Sequence, residues 1–113
     1  MNQTGTESEL RTSVLMLSKN KSRYIKVASA SVLESINTEL ILVEPGSNDN
    51  SRILCQEIKS ANPDQVKIVA KNDNSPAEGL NHGLEEASNE ILGVLNADDI
   101  YLPGALDIVR EFF

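Results

Sequence analysis

The sequence predicts an α/β domain built on a four-stranded parallel sheet, because short apolar runs alternate with segments of helical periodicity. Each apolar run is nearly continuous, as is typical of parallel strands that are covered on both faces. Parallel neighbours need crossover connections, and these are right-handed in almost all proteins, so helices should cover the sheet. The four predicted strands lie at residues 13–17, 39–43, 66–70 and 90–95.

Two helices are predicted between the first three strands. The first covers about residues 22–35, and the second follows a turn at residues 44–47, where Asn48 or Asp49 can cap it. The second ends before Pro63, because the residue before a proline disfavours the helical conformation. The side chains expected to face the core are Ile25, Ala28, Val32 and Ile36 in the first helix and Ile53, Leu54, Ile58 and Ala61 in the second.

Prolines mark the starts of the last two helices. Residues 75–78, Ser-Pro-Ala-Glu, have the form of a capping box with Ser75 as the cap. Pro103 opens the final helix. The side chains expected to face the core are Ala77, Leu80, Leu84 and Ala87 in the third helix and Leu102, Leu106, Val109 and Phe113 in the fourth.

The composition of the chain indicates its cellular compartment and argues against some classes of binding partner. The 17 acidic and 10 basic residues give a formal net charge of −7, which argues against nucleic acid or an anionic membrane as the main partner. Cys55, the one cysteine, is expected to be a buried, reduced thiol on a helix. No signal peptide or membrane span is visible, so we expect a cytoplasmic protein. Residues 1–11 are expected to be disordered and residues 12–113 to form one domain.

The stretch most indicative of function is residues 94–103, Val-Leu-Asn-Ala-Asp-Asp-Ile-Tyr-Leu-Pro. Adjacent carboxylates at the carboxyl end of a buried strand are costly unless a cation lies between them. Ligands of open α/β sheets bind at that end of the strands. Asp98 and Asp99 are therefore candidate ligands of Mg²⁺ or Mn²⁺, and the alternative is an acidic cap for the following helix.

Four loops should gather at this edge of the sheet, at residues 18–21, 44–49, 71–75 and 96–99. Glu44 can accept hydrogen bonds there from a ribose hydroxyl or a base N–H, although a solvated turn acid is equally consistent with the sequence. The chain has no phosphate-binding loop and no Gly-x-Gly-x-x-Gly pattern, which argues against an ATPase or a nicotinamide enzyme. His82 has no recognised nucleophile or acid partner, so no catalytic triad is predicted.

Three segments resemble family 2 glycosyltransferases, which have the GT-A fold. Residues 39–50, Glu-Leu-Ile-Leu-Val-Glu-Pro-Gly-Ser-Asn-Asp-Asn, resemble a strand that usually ends in Asp-Asp-Gly-Ser-x-Asp. Residues 78–83, Glu-Gly-Leu-Asn-His-Gly, resemble the subgroup pattern Asp-Ala-Ile-Asn-x-Gly. Residues 90–106 are similar to that subgroup's metal motif and the helix after it, and this segment is the most specific. The resemblance covers about residues 12–112.

The resemblance implies a Rossmann-like GT-A half-domain with strand order 3-2-1-4 that binds a nucleotide-diphosphate sugar. Asp98 and Asp99 would hold Mn²⁺ or Mg²⁺ on the diphosphate. Ser18 and Glu44 would lie near the base and ribose, and Asn81 near the donor. The residues that the resemblance assigns to donor binding are Ser18, Glu44, Asn81, Asn96 and Asp98.

The chain also departs from the family pattern. Pro45 stands where the second acid of the Asp-Asp-Gly-Ser motif is usual, Leu17-Ser18 replaces a proline-threonine pair, and Leu80 replaces a basic residue found in many members. Family members continue for roughly as many residues again, and that part normally supplies the acceptor site and the catalytic base. We therefore expect a truncated domain that transfers sugar only with a partner or a second half.

The alternative hypothesis is a catalytically inactive, Rossmann-like binding module that dimerises. In the order 3-2-1-4 the fourth strand is an exposed edge, and proteins rarely leave such an edge uncovered. The sequence therefore predicts a homodimer that covers this edge or the last helix, with Phe112 and Phe113 in or near the contact.

Overall fold

The structure, a computed structural model, describes residues 11–35, 37–72, 75–89, 91–96 and 106. Its elements in chain order are β1 (Thr12–Leu17), α1 (Ile25–Leu33), β2 (Thr38–Val43), α2 (Ser51–Ala61), β3 (Val66–Val69), α3 (Pro76–Glu86) and β4 (Ile91–Asn96). The predicted strands agree with the observed ones to within one residue at each end. Apart from Arg11 and Leu106, the predicted N-terminal segment and the predicted last helix, with Phe112 and Phe113, lie outside the described residues.

All strand pairs are parallel and the strand order is β3-β2-β1-β4, so the predicted α/β fold and its order 3-2-1-4 are confirmed. β1 is central, and Leu17 at its end is in register with Val43 of β2 and Asn96 of β4. The carboxyl ends of these three strands are therefore level. The loops that follow β1 and β2 consequently start from the same edge of the sheet.

Alternate residues of the central strands form two separate hydrophobic clusters. Val14 and Met16 of β1 contribute to the cluster beneath α1 and α2. Leu15 contributes to the cluster beneath α3, together with Ile41 and Val43 of β2. Burying one such side chain fully contributes about 1.5–3 kcal/mol. β1 and β2 are thus stabilised from both faces, as their continuous apolar sequences predict.

The predicted inner face of α2 is wrong at two positions. Ile53 is 60% exposed and Ala61 is exposed, whereas Ser51, Cys55 and Ile58 are buried. The helix is rotated so that the Ser51 hydroxyl accepts a hydrogen bond from the backbone N–H of Lys21. Ile58 and Leu54 pack in the core as predicted, and the polar contact adds Ser51 to the inner face, which apolar periodicity does not reveal.

The predicted inner face of α3 is confirmed at Leu80 and Ala87, which pack against the cluster beneath the helix, and is wrong at Ala77 and Leu84, which are exposed. The buried positions of the helix are Gly79 and Gly83. A Cβ atom placed on Gly83 would lie 2.9 Å from the Cδ2 atom of Leu15. The helix thus approaches the sheet too closely for any side chain at that position, and glycines carry no hydrophobic signal in a sequence.

β4 also departs from the prediction that every strand is covered on both faces. Leu92 is 48% exposed and Val94 is 55% exposed, although Ile91 and Leu95 are buried on the other face. The pairing of Leu15 with Val94 places this exposed face on the α3 side of the sheet. Among the described elements α3 packs chiefly on β1, β2 and β3, so β4 extends beyond it.

Candidate functional site

A cleft of about 400 Å³ lies at the carboxyl ends of β1, β2 and β4. This is the edge at which open parallel sheets bind their ligands. The three strands end level there, and the residues that follow β1 and β2 line the cleft together with the start of α3. The described residues that line it are Leu17, Ser18, Lys19, Lys21, Val43, Pro45, Ser75, Pro76 and Asn96.

The loop after β1 (residues 18–22) is joined to the segment after β2 (residues 44–51) by a row of hydrogen bonds. Three consecutive backbone N–H groups of the first loop donate to side chains of the second segment. The N–H of Asn20 donates to Ser47 Oγ at 2.9 Å, and the N–H of Lys21 donates to Ser51 Oγ at 2.8 Å. The N–H of Ser22 donates to Asp49 Oδ2 at 3.1 Å. One wall of the cleft is therefore a single bonded unit rather than two independent loops.

Asn20 and Asp49 fix the conformation of this wall. Asn20 has a left-handed backbone with φ +54°, a conformation that asparagine tolerates better than most residues, and its Oδ1 accepts from the N–H of Asn48 at 2.7 Å. Asp49 also accepts from the N–H of Ser51 at 2.8 Å, which satisfies an N–H at the start of α2. Hydrogen bonds from Ser51, supplemented by Ser22, lower the pKa of Asp49 to about 2.

The carboxylate of Glu44 is directed into its own turn. The residue is 2% exposed, and its side chain accepts from the N–H of Gly46 at 2.8 Å and from both the N–H and the hydroxyl of Ser47. The Nε atom of the exposed Arg52 lies 4.0 Å away. Gly46 has φ +126°, which disfavours any residue with a Cβ atom. Glu44 therefore orders the turn, and the turn places Pro45 at the cleft.

Ser18 lies at the floor of the cleft, and its side chain points into the protein. It is fully buried, its hydroxyl donates to the carbonyl of Met16 at 3.1 Å, and its N–H donates to the carbonyl of Val43 at 3.0 Å. Cys55 lies beneath the same region, and burial, together with the charge of Glu44, raises the pKa of its thiol to about 12. The prediction of a buried thiol on a helix is confirmed.

Some of the other residues expected at this edge of the sheet line the cleft, and others do not. Asn96 ends β4 and lines the cleft, as does Ser75, whose hydroxyl accepts from the N–H of Glu78 at 3.2 Å and caps α3 as predicted. Asn81 is exposed on α3 and is not among the described residues that line the cleft. Asp98 and Asp99 lie outside the described residues. The structure thus brings Ser18 and Asn96 to the cleft and places Glu44 directly behind it.

Two lysines at the cleft were not identified from the sequence. Lys19 and Lys21 both line it, and the described part of the lining includes no carboxylate. A usable signal was present, because Ser18-Lys19-Asn20-Lys21 directly follows a predicted strand at the ligand-binding edge. The described lining thus includes two ammonium groups in a chain that carries a net charge of −7.

The described residues contain no cluster of three or more His, Cys, Asp or Glu side chains that could hold a metal ion. The candidate metal ligands Asp98 and Asp99 follow Asn96 in the sequence and lie outside the described residues. These carboxylates are suitable hard oxygen donors for Mg²⁺ or Mn²⁺. Separately, within the part of the chain that the structure describes, no helix has the length and apolarity needed to span a membrane.

Comparison with known proteins identifies relatives of the chain. Residues 13–113 match the family model for glycosyl transferase family 2. An uncharacterized glycosyltransferase of Nostoc sp. is 30% identical over 106 residues, which cover 92% of this chain and 33% of the relative. The minor teichoic acid biosynthesis protein GgaA of Bacillus subtilis is 33% identical over 108 residues, covering 89% of this chain and 24% of that protein.

Solved structures show the same fold. The mannosyltransferase PcManGT from Pyrobaculum calidifontis, in complex with GDP-Man and Mn²⁺, matches with a TM-score of 0.78 at 22% identity over 90% of this chain and 31% of that chain. Residues 1–349 of S. aureus TarS, in complex with UDP-GlcNAc, match with a TM-score of 0.79 at 21% identity over 91% of this chain and 31% of that chain. The chain thus spans about a third of the length of these structures, belongs to glycosyl transferase family 2 and has the Rossmann-like GT-A fold.

Proposed function

We propose that this chain is the donor-binding part of a glycosyltransferase and binds a nucleotide-diphosphate sugar in the cleft at the carboxyl ends of β1, β2 and β4. The observation that carries the proposal is the cleft itself, which has a volume of about 400 Å³ and is lined by hydroxyl, amide and ammonium groups. Its size lies within the range of small-molecule sites. PcManGT and TarS, which share the fold, have structures in complex with GDP-Man and UDP-GlcNAc, respectively.

The wall formed by the β1 and β2 loops is proposed to receive the nucleoside. Ser18 would contribute to the floor through its backbone, because its hydroxyl is already bonded to Met16. Glu44 would act on base or ribose binding through the turn that it orders, because both of its carboxylate oxygens are occupied there. We retain the prediction that Asn81 lies near the bound donor.

The sugar-diphosphate end of the donor is proposed to lie towards β4. Asn96 borders the cleft at that side, and Asp98 and Asp99 follow it in the sequence. We propose that these two aspartates hold Mn²⁺ or Mg²⁺ against the diphosphate. A divalent ion at this place would neutralise the charge that develops on the diphosphate as the glycosidic bond breaks.

Sugar transfer itself is proposed to need a further contribution. Transfer passes through an oxocarbenium-like state and requires an acceptor held opposite the leaving diphosphate, in most cases with a base. The chain spans about a third of the Nostoc relative and a quarter of GgaA, so a partner or a second segment would supply these groups.

A second candidate function is donor binding without turnover in a module that dimerises. Pro45 favours it, because a residue without a hydrogen-bond donor or acceptor in its side chain occupies a lining position next to Glu44. The half-exposed Leu92 and Val94 on β4 support an apolar contact near the strand edge. Light scattering tests the homodimer. This hypothesis predicts a dimeric mass at micromolar concentration, and a monomeric mass at high concentration would contradict the hypothesis.

Calorimetry tests the donor-binding proposal. The chain is titrated with UDP-GlcNAc, GDP-Man and the diphosphates of uridine, guanosine, cytidine and thymidine, each with and without Mn²⁺. We expect Mn²⁺-dependent binding of at least one of these nucleotides and its loss in Asp98→Asn and Asp99→Asn. Glu57→Gln, an exposed carboxylate on α2, is the matched control and should bind as the wild type. No binding of any nucleotide up to millimolar concentration with metal present would contradict the proposal.

A further inference from the structure

We propose that a single water molecule is bound inside the protein at the amino ends of β1 and β2, where it bridges the side-chain hydroxyls of Thr12 and Thr38. Thr12 begins β1 and Thr38 begins β2, whereas the cleft lies at the opposite ends of these strands. The site is therefore separate from the region in which a nucleotide is proposed to bind, and the inference does not rest on the proposed function.

The first argument is that both hydroxyls are buried without a protein partner. Thr12 is 1% exposed and Thr38 is 5% exposed, and neither Oγ1 atom has a hydrogen-bond partner among the residues that the structure describes. A hydroxyl loses its hydrogen bonds to solvent when it is buried, so leaving it unpaired destabilises the fold. Buried polar groups that lack a protein partner are commonly bonded to an internal water.

The second argument is the geometry of the two strands. Thr12 and Thr38 are directly in register in the parallel ladder of β1 and β2. Val14 and Leu40, which lie two residues further along these strands, both belong to the cluster beneath α1 and α2, so the two threonines face that same side. Neighbouring strands lie about 4.8 Å apart, and two hydrogen bonds of about 2.7 Å to one water span about 5.4 Å. One water can therefore reach both hydroxyls.

The third argument is the polarity of the chain that closes this end of the core. The carbonyl of Asn37 accepts a hydrogen bond from the N–H of Thr12 at 3.0 Å. The side-chain amide of Gln65 donates to the carbonyls of Ser35 and Thr38 at 3.4 Å and 3.3 Å. Each carbonyl oxygen has two lone pairs, so these groups offer further acceptors close to the threonines. An internal water typically makes about three hydrogen bonds, which the two hydroxyls and one such carbonyl would supply.

Valine variants distinguish a bridging water from two unpaired hydroxyls, because valine matches the shape of threonine and lacks the hydroxyl. With a bound water, Thr12→Val and Thr38→Val each break a hydrogen bond, and the midpoint of thermal unfolding should fall by about 4 °C in each variant. The double variant should lose little more than either single variant, because both substitutions remove the same bridge. Unpaired hydroxyls predict the opposite sign, with a higher midpoint in each variant and additive gains.

A crystal structure of the full chain, at a resolution that shows ordered water, tests the site directly. We expect water density within about 3 Å of both Oγ1 atoms in the wild type and its loss in the double valine variant. Thr12→Ser and Thr38→Ser are the matched controls, because serine keeps the hydroxyl and removes only the methyl group. Both serine variants should retain the water, although the lost methyl group lowers their stability.

The two measurements decide between a bound water and a pair of unpaired hydroxyls. Water density on both hydroxyls, together with a lower unfolding midpoint in both valine variants, would support the proposal. A wild-type structure with no water between the hydroxyls, or a valine variant that unfolds at a higher temperature than the wild type, would overturn it. Failure of the donor-binding proposal would leave this inference unchanged, because neither measurement uses a nucleotide.

Discussion

The two sides of the cleft differ in how their strands are covered and in how their loops are held. On the β1–β2 side, strands buried on both faces lead into loops that hydrogen bonds join into one wall. On the β4 side, the strand pairs with β1 alone among the described strands, and one of its faces carries the half-exposed Leu92 and Val94. The β1–β2 side is thus held by hydrogen bonds among the described residues, whereas the described part of the β4 side presents half-exposed apolar side chains.

The largest expected effect concerns the packing of α3 against the central strands. Gly83→Val should lower the free energy of unfolding by about 3 kcal/mol, because a Cβ atom there would lie 2.9 Å from Leu15 Cδ2 and 3.2 Å from Val43 Cγ2. Urea denaturation measures the loss. Leu84→Ala, at an exposed position of the same helix, should cost less than about 1 kcal/mol. A larger loss at Leu84 than at Gly83 would show that α3 has the orientation predicted from apolar periodicity.

The next effect concerns the turn that Glu44 orders. Glu44→Gln replaces one acceptor oxygen with an NH2 group that cannot accept from Gly46 or Ser47, so we expect a loss of about 2 kcal/mol. Denaturation measures the stability, and calorimetry should show weaker nucleotide binding. Arg52→Gln serves as the control, because its Nε atom is 4.0 Å from the carboxylate and the side chain is exposed. Unchanged stability in Glu44→Gln would contradict an ordering role.

A smaller effect should appear when the pH is lowered. The pKa of Asp49 is about 2 in the folded chain against an ordinary value of 3.8, so its ionised form stabilises the fold. That contribution is fully present above the unfolded value and is lost as the pH falls from about 4 to about 2. The stability difference between the wild type and Asp49→Asn should therefore shrink over this interval. Denaturation curves that stay parallel from pH 5 to pH 2 would contradict the bonds to Ser22 and Ser51.

The smallest effect is expected on the β4 side. Val94→Thr replaces a half-exposed apolar side chain with a β-branched polar one of similar shape, so the stability should change by less than about 0.5 kcal/mol. Val43→Thr, at a buried position of β2, is the matched substitution and should cost about 1–3 kcal/mol, because an unpaired hydroxyl would be buried. Equal losses at the two positions would show that β4 is covered on its α3 side.

Some features of the fold could be predicted from the sequence, and others could not. Strand positions and order were predictable because continuous apolar runs alternate with helical segments, and the family resemblance pointed to the same order. The faces of α2 and α3 were predictable only in part, because the buried Ser51 and Gly83 make a hydrogen bond and a close approach, neither of which has an apolar signature.

At the cleft, the edge of the sheet was predictable and the roles of particular side chains were not. Glu44 was identified as a candidate ligand contact, but only the structure shows that Gly46 and Ser47 occupy its carboxylate. Lys19 and Lys21 were predicted only as part of the loop at residues 18–21, and the structure places both in the lining of the cleft. Which polar residue faces the cleft depends on backbone conformation, such as φ +54° at Asn20, that the sequence does not specify.

The most direct test of the account is a crystal structure of the chain grown with UDP or GDP, whichever binds more tightly, and Mn²⁺. The account predicts nucleotide density between the loop at residues 18–22 and Asn96, with the nucleoside at the β1–β2 wall and the metal beside Asp98 and Asp99. Nucleotide bound at another surface, or an empty cleft at a ligand concentration that saturates binding in solution, would contradict it.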